Sequence, residues 1–324
     1  MANAIRVHKY GGPEEMNWES LDAGKPGAGQ VLLKQHAVGL NYMDVYVRTG
    51  LYAQPSLPFT LGSEGAGEVT AVGAGVTDLK VGDRVAYAGP PGAYATERLI
   101  AADRIAKMPE GIDYKTAASM MLKGMTAQYL LKRTFHVGPG TTMLFHAAAG
   151  GVGLIACQWA KHLGATVIAT AGSAEKCALA KAHGASHVIN YKTENFAARV
   201  KEITDGKLCD VVYDSVGKDT YPASLDCLRP LGLFVTFGNA SGPIKEFNPG
   251  LLSAKGSLYM TRPTLTTYIA SRADLVATAN DLFDVVKKGV VKIEVNQTYP
   301  LKEAAQAHRD LEARKTTGST VLLT

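Results

Sequence analysis

The feature that most constrains the fold is an alternation of two kinds of segment between Lys123 and Thr261. Short apolar runs, typical of strands, alternate with helix-like segments about a dozen residues long. Several of the runs are apolar throughout, which indicates strands that are buried on both faces. This alternation predicts a parallel sheet with right-handed crossovers and helices on both sides.

Six runs qualify as strands, the number that a doubly wound α/β fold requires. We expect helices between them that start near Gly151, Ser173, Glu194, Thr220 and Pro249. The strand-like runs are TMLFHA, TVIAT, HVIN, DVVYDSV, LFVTFG and SLYMT.

The segments on either side of the alternation have a different character. Residues before 123 contain valine-rich runs such as QVLLKQHAVGL and DRVAYAG, separated by Gly, Pro or Asp, which predicts a β-rich domain. Residues after 261 are helix-like and close with the strand-like STVLLT, which we expect to return to the first domain. The sequence therefore predicts one domain from residues 1–122 with 262–324, and a second from residues 123–261.

Composition and charge favour a globular protein of the cytoplasm. The net charge of +5 comes from 34 basic and 29 acidic residues that are scattered, so they indicate solvated helix faces more than a nucleic-acid surface. Four widely spaced cysteines argue against a disulfide framework and favour a reducing compartment. We expect no signal peptide and no membrane span, because the longest nearly apolar stretch is short and rich in glycine.

A glycine-rich turn links the first strand of the alternation to its first helix. TMLFHA runs into AAAGGVG, and GLIACQWAKHLG continues as a helix. Gly150 and Gly151 would let a phosphate approach the backbone at the helix N-terminus, and Gly153 would let the helix pack closely on the sheet. Ala147 stands at the first position of the usual glycine motif. In this strand–turn–helix context the motif predicts a dinucleotide site at Ala149, Gly150, Gly151 and Val152.

No acidic residue stands at the tip of the second strand, where NAD-binding sites usually place one. The run TVIAT is followed by Gly172 and Ser173, with Lys176 close behind, and we place Glu175 on the next helix. A hydroxyl and an ammonium would bind a 2′-phosphate that a carboxylate would repel. The sequence therefore predicts NADPH in preference to NADH. In the alternative interpretation Ser173 is a helix N-cap and Lys176 a surface lysine, and the two interpretations are compatible.

Motifs along the whole chain resemble the zinc-independent, zeta-crystallin-like quinone oxidoreductases of the medium-chain dehydrogenase/reductase superfamily. The resemblance implies a Rossmann domain for NADPH, a GroES-like catalytic domain built from both chain ends, the nicotinamide in the interdomain cleft, and a homodimer. The motifs are KYGGPEEM, GLNYMDVYVRTGLY, LGSEGAGEV, VGDRVAY, MMLKGMTAQYLL, FHAAAGGVGLIACQWAK, VVYDSVG, FGNASG and GSLYMTRP.

The same comparison implies that no metal is bound. Alcohol dehydrogenases of the superfamily place cysteine and histidine zinc ligands where this chain has Asn41 and Ser63. Neither side chain is a good zinc ligand. The four cysteines of a structural zinc lobe are absent from AYAGPPGAYATERL. We therefore expect a mechanism that uses the cofactor alone.

Several site residues are implied by the resemblance. Asn41, Tyr46 and Tyr52 are expected to line the nicotinamide site as catalytic hydrogen-bond donors, and Glu64 is expected to be structural. Asn41 and Tyr46 are also expected to contact the cofactor. The remaining expected cofactor contacts are Met125, Thr126, Gly172, Ser173, Lys176, Tyr191, Ser215, Val216, Phe237, Gly238, Asn239, Thr261, Arg262, Thr317 and Gly318.

These observations predict an NADPH-dependent quinone reductase acting by electron or hydride transfer to a small-molecule quinone. An alkenal or enone reductase would use the same fold and cofactor. A zinc-free alcohol dehydrogenase is disfavoured, because no Lewis acid or strong base stands out. A crystallin-like or RNA-binding relative stays open, although basic residues do not interleave with aromatic ones along the sequence.

Overall fold

A computed structural model describes every residue from Met1 to Thr324. The chain divides into two compact units, each with its own hydrophobic core. The first unit comprises Met1–Met125, Ile269–Lys287 and Ile293–Thr324, and the second comprises Thr126–Tyr268 and Lys288–Lys292. The first unit is therefore built from both ends of the chain.

The N-terminal part of the first unit is mainly β-structure, as predicted. Its strands are β1 (Ala2–Val7), β2 (Met16–Leu21), β3 (Gln30–Leu40), β4 (Phe59–Thr60), β5 (Glu64–Val72), β6 (Arg84–Ala88), β7 (Glu97–Ala101) and β8 (Ala106–Lys107). Strand β1 pairs antiparallel with β2 and β4, and β3 pairs antiparallel with β5 and β7. Two helices interrupt or follow the strands, α1 (Tyr42–Arg48) and α2 (Tyr114–Tyr129).

The second unit contains one six-stranded, fully parallel sheet. Its strands are β9 (Thr142–Phe145), β10 (Thr166–Ala171), β11 (His187–Asn190), β12 (Cys209–Asp214), β13 (Leu228–Thr236) and β14 (Tyr259–Thr261). Its helices are α3 (Gly151–His162), α4 (Ala174–Ala182), α5 (Phe196–Ile203), α6 (Gly250–Ala254) and α7 (Leu265–Tyr268). The strand order β11-β10-β9-β12-β13-β14 places the first strand in the middle. This order confirms the predicted doubly wound fold.

One predicted helix of the second unit is wrong. The segment after Thr220 forms only a 3-10 turn, Ala223–Cys227. Pro222 disfavours the α conformation of the preceding Tyr221, so a helix that starts at Thr220 cannot continue through this position.

The C-terminal part returns to the first unit. It contains α8 (Arg272–Lys287), β15 (Val295–Pro300), α9 (Ala304–Glu312) and β16 (Ser319–Leu323). Strand β16 pairs parallel with β15 and antiparallel with β3, so it lies inside the seven-stranded sheet of this unit. The expectation that STVLLT returns to the first domain is confirmed. None of the helices has both the length and the apolar character needed to cross a membrane.

Candidate active site

The carboxyl edge of the parallel sheet brings together most of the predicted cofactor residues. Each group follows the last residue of a different strand, and parallel strands end at the same edge of their sheet. Strands β9 and β12, on either side of the point where the strand order reverses, are neighbours at the middle of this edge. The residues gathered there are Ala149, Gly150, Gly151, Val152, Gly172, Ser173, Tyr191, Ser215, Val216, Phe237, Gly238, Asn239 and Arg262.

The turn between β9 and α3 leaves the helix N-terminus open. Gly150 is the N-cap in an extended conformation, and no side chain caps the first N–H groups. A Cβ on Gly153 would lie 2.5 Å from the carbonyl oxygen of Ala148, so this glycine allows close packing of helix and turn. Ala147 has a φ of +52°, in the left-handed region that favours glycine. An uncapped N-terminus after a glycine turn can bind a phosphate.

The tip of β10 ends in the hydroxyl of Ser173, and the Glu175 carboxylate of the next helical turn accepts a hydrogen bond from it. Ser173 is the N-cap of α4, and its Oγ accepts a hydrogen bond of 3.3 Å from the backbone N–H of Lys176. Glu175 lies in the first turn of α4, as expected, and a hydrogen bond from Ser173 lowers the pKa of its carboxyl group. Tyr191, after β11, lies against Gly172, since a Cβ there would be 2.4 Å from the Tyr191 hydroxyl oxygen.

The loop after β12 is held by a residue that sequence analysis missed. The buried carboxylate of Asp214 accepts hydrogen bonds from the backbone N–H groups of Val216, at 2.7 Å, and Gly217, at 3.0 Å. An aspartate at a strand end followed by Ser-Val-Gly is typical of such a turn, and this signal was available in the sequence. Asp214 therefore fixes the loop that carries Ser215 and Val216.

Gly238 is required by the protein itself. A Cβ on this residue would lie 2.5 Å from the carbonyl oxygen of Ser215 in the neighbouring loop. Arg262, just beyond β14, donates to Thr236 Oγ1 at 2.9 Å and to the Gly238 carbonyl at 3.3 Å. The close approach of these two loops is by itself a reason for glycine at this position.

In the first unit, Asn41 caps α1 above a buried ion pair. Its Nδ2 donates to Glu64 Oε1 at 2.8 Å, and its backbone N–H donates to Asp44 Oδ2 at 2.9 Å. Lys123 Nζ donates to the same Glu64 oxygen, and Leu122 N donates to Oε2 at 2.7 Å. Glu64 is fully buried, as a structural carboxylate with three donors should be.

A buried polar chain continues from Asp44. Its carboxylate accepts hydrogen bonds from Ser63 Oγ at 2.8 Å and Tyr94 OH at 3.0 Å, while burial raises the pKa of Asp44 to about 6. His308 Nε2 lies 3.2 Å from Tyr94 OH, and His308 Nδ1 lies 2.8 Å from Arg48 Nη1. Because Arg48 can only donate, Nδ1 accepts and Nε2 carries the proton. Burial and the nearby guanidinium lower the pKa of His308 to about 3.

The two predicted tyrosines of the first unit, Tyr46 and Tyr52, form an aromatic cluster with Tyr42 on and after α1. Tyr46 contacts Tyr52 edge to face, with ring centroids 5.4 Å apart, and Tyr42 lies 6.2 Å from Tyr46. All three side chains are half-buried.

The other predicted residues lie on α2, at the end of β14 and before β16. Met125 and Thr126 are buried on α2, and Thr261 is the last residue of β14. Thr317 Oγ1 accepts a hydrogen bond of 2.8 Å from Asn296, and Gly318 has a φ of +56°. Lys176, which follows Ser173, lies on α4 and is half-buried.

The donor set around Asn41 and Ser63 does not suit a metal. Both side chains donate hydrogen bonds to buried carboxylates, Asn41 to Glu64 and Ser63 to Asp44. No group of three or more His, Cys, Asp or Glu side chains is arranged to hold a metal ion.

Comparison with known proteins agrees with this architecture. Residues 27–134 match the alcohol dehydrogenase GroES-like domain family, and residues 151–283 match a family described as zinc-binding dehydrogenase. The chain is 56% identical to a quinone oxidoreductase of Pseudomonas aeruginosa, over the full length of both. It is 48% identical to a 2-haloacrylate reductase of a Burkholderia species, over 100% of this chain and 99% of the relative.

A solved structure gives the same result. The quinone oxidoreductase of Escherichia coli complexed with NADPH is similar with a TM-score of 0.98 and 49% identity, over 99% of this chain and 100% of that one. Identity at this level over the whole length shows a common family as well as a common fold. The chain therefore belongs to the quinone oxidoreductases of the medium-chain dehydrogenase/reductase superfamily.

Proposed function

We propose that this protein is an NADPH-dependent quinone reductase. The observation that carries the proposal is the carboxyl edge of the parallel sheet, where an open helix N-terminus lies together with a strand tip that ends in Ser173 and has its nearest acidic residue, Glu175, on the following helix. The first suits a pyrophosphate and the second suits a 2′-phosphate. The Escherichia coli relative, crystallised with NADPH, supports the same cofactor here.

Each cofactor contact has a proposed role. The turn at Ala149–Val152 binds the pyrophosphate, Ser173 and Lys176 bind the 2′-phosphate, and Tyr191 packs on the adenosine end. The loops of Ser215, Val216, Phe237, Gly238 and Asn239 line the path towards the nicotinamide, with Thr261 and Arg262 at its end. Asn41, Tyr46, Met125, Thr126, Thr317 and Gly318 complete the proposed contacts.

For the acceptor, we propose a site at Asn41, Tyr46 and Tyr52. Bound NADPH supplies a hydride, and a quinone that takes up this hydride and one proton becomes a hydroquinone. Charge develops on a quinone oxygen, and the phenol O–H groups of Tyr46 and Tyr52 are neutral donors that can stabilise it. The two rings pack edge to face, so the face of one of them would offer a flat apolar surface for a planar acceptor.

Independence from zinc is part of the proposal. The hydrogen bonds from Asn41 and Ser63 to carboxylates support it, because neither group is a usual zinc ligand. Metal analysis of the purified, active protein should find no stoichiometric zinc. One zinc per chain, with loss of activity on chelation, would contradict this part.

The main experiment is a steady-state comparison of acceptors. The purified protein should oxidise NADPH with p-benzoquinone, with a kcat/KM at least tenfold higher than with NADH, on the order of 1.4 kcal/mol of discrimination. Failure to reduce any quinone would refute the proposal.

A second function has one observation in its favour. The 2-haloacrylate reductase relative, 48% identical, is named for reduction of an activated double bond. An enone or alkenal would take a hydride at carbon with the same cofactor. A kcat/KM for an α,β-unsaturated aldehyde above that for p-benzoquinone would favour this alternative.

The assembly and compartment are also proposals. Strand β14 ends the parallel sheet and exposes 61% of Tyr259, so its free edge can pair with a second copy. We propose a homodimer on this ground, and sedimentation analysis at micromolar concentration should give the dimer mass. Four free cysteines support a reducing cytoplasm, which fractionation of the source cells would test.

A further inference from the structure

The buried ion pair Glu64–Lys123 lies directly beside Asn41. Only 6% of the Lys123 side chain is exposed, and the Glu64 side chain is fully buried. Lys123 Nζ and Asn41 Nδ2 donate to the same oxygen, Glu64 Oε1, so the two nitrogens are close neighbours. The ammonium nearest to Asn41 is therefore already neutralised by a carboxylate of the protein.

The pair is held in place by the backbone as well. Leu122 N donates to Glu64 Oε2, and Gly39 leaves the space that the carboxylate occupies. A Cβ on Gly39 would lie 2.2 Å from Glu64 Oε1. The carboxylate is therefore fixed between β3 and α2.

A second carboxylate adds to the negative charge around Asn41. Asp44 Oδ2 accepts from the Asn41 backbone N–H, and Asp44 is fully buried. The charge of Glu64 is one of the causes that raise the pKa of Asp44, so the two carboxylates interact. Another buried cation of this unit, Arg48, is engaged with His308 and Glu312.

We infer that Glu64, by neutralising Lys123, leaves the acceptor site at Asn41 without a cation that could bind an anionic acceptor, and so restricts the acceptor to uncharged molecules. This inference rests on the proposed function, in which the acceptor lies at Asn41. A carboxylate on the acceptor would meet two buried carboxylates and one cation that is already paired, in a medium where charges interact strongly. A quinone, an enone or an unsaturated aldehyde carries no charge and meets no such repulsion.

The inference separates the two activities suggested by the relatives. A haloacrylate is an anion at neutral pH, whereas a quinone is neutral. The charge balance at Asn41 therefore favours the quinone. Glu64 and Lys123 would act as specificity determinants without contact with the reacting atoms.

The test uses two acceptors that differ in charge but have nearly the same intrinsic reactivity, carboxymethyl-p-benzoquinone and its methyl ester. The ratio of their kcat/KM values is measured with NADPH for the wild type and for three variants. Glu64→Gln leaves one uncompensated cation, Lys123→Met one uncompensated anion, and the double variant E64Q/K123M no net charge. Glu68→Gln, on the same strand but half-exposed, is the control.

Selectivity should follow the net charge of the pair. E64Q should raise the acid-to-ester ratio at least tenfold, K123M should lower it, and the double variant and Glu68→Gln should keep the wild-type ratio. A purely structural role would change kcat/KM for the acid and for the ester by the same factor and would leave their ratio unchanged.

A second measurement does not depend on the folding of any variant. Benzamide and benzoate, planar ligands that differ in charge, are compared as inhibitors of quinone reduction by the wild type. Benzamide should bind at least tenfold more tightly. Equal inhibition, or an unchanged ratio in a folded E64Q, would overturn the inference while the quinone reductase activity stands. Absence of quinone reduction by the wild type would refute the proposed function, and the inference with it.

Discussion

Tyr191 lies so close to the backbone of Gly172 that a Cβ on residue 172 would be 2.4 Å from the tyrosine hydroxyl oxygen. The two residues follow β10 and β11, neighbouring strands of the parallel sheet. Gly172→Ala should displace the ring from the adenosine end and raise the KM for NADPH about five- to tenfold, roughly 1 to 1.4 kcal/mol.

Gly138→Ala is a suitable control for this change. Gly138 lies in the same unit, has no atom within 4 Å of a built Cβ, and has no left-handed φ. Its KM for NADPH should match that of the wild type. An unchanged KM in Gly172→Ala would show that Tyr191 takes no part in cofactor binding.

Lys176→Ala should weaken the binding of NADPH but not that of NADH. Loss of a charge-assisted contact to the 2′-phosphate should raise the KM for NADPH roughly ten- to hundredfold, on the order of 1.4–3 kcal/mol. NADH has no such phosphate, so its kinetic constants should change little. Initial rates with both cofactors and one quinone test this, and equal losses for both would remove Lys176 from the phosphate site.

Ala147→Gly should stabilise the protein. Ala147 has a φ of +52°, where a Cβ is unfavourable by about 1 kcal/mol. Glycine relieves this strain but gains entropy in the unfolded chain, so we expect a net increase in unfolding free energy of up to about 0.5 kcal/mol. Ala149→Gly, at a position without positive φ, should instead destabilise. Urea denaturation of both variants measures the difference, and equal losses in both would contradict it.

Because of Asp44, the free energy of unfolding should fall as the pH rises. Its pKa is raised from 3.8 to about 6 by burial, so the folded state binds the proton more tightly than the unfolded state between these values. Relative to Asp44→Asn, the unfolding free energy of the wild type should fall by about 2 to 3 kcal/mol as the pH rises from about 4 to about 6.5. Parallel stability curves for the two proteins would contradict the buried, ionisable carboxyl group.

His308 should show the opposite slope. Its pKa is lowered from 6.5 to about 3, so the unfolded state binds the proton more tightly in that window. Relative to His308→Gln, the unfolding free energy of the wild type should fall by about 2 to 3 kcal/mol as the pH falls from about 6.5 to about 4.5. Denaturation across this range measures the loss. The two groups belong to one hydrogen-bonded chain, so each substitution should be measured with the other residue intact.

The sheet of the second unit could be predicted because its signals are local. Buried strands such as TVIAT have no polar face, and Ser173 is a common N-cap residue, so strand and helix follow from neighbouring residues. The glycine-rich turn between β9 and α3 could also be predicted from neighbouring residues. Helix α1 was not expected, because Tyr42–Arg48 is short and interrupts a stretch of strands.

The environment of the proposed acceptor site depends on contacts between distant residues. Glu64 and Lys123 are 59 positions apart, and Arg48 and His308 are 260 positions apart. No local pattern pairs them, since their proximity follows from the way that β3, β5 and β16 assemble. The sequence therefore indicated Asn41 as a site residue but not that its amide group already serves a buried carboxylate.

The position of β16 has a consequence for biosynthesis. Residues 37–40 of β3 pair with residues 320–323, so the central sheet of the first unit lacks an inner strand until the ribosome has made residues 320–323. The second unit is nearly contiguous in sequence and is complete earlier. The nascent protein thus completes its nucleotide-binding unit first. Until β16 is made, one edge of β3 in the first unit has no partner strand, and this unpaired edge is a site that a chaperone can bind.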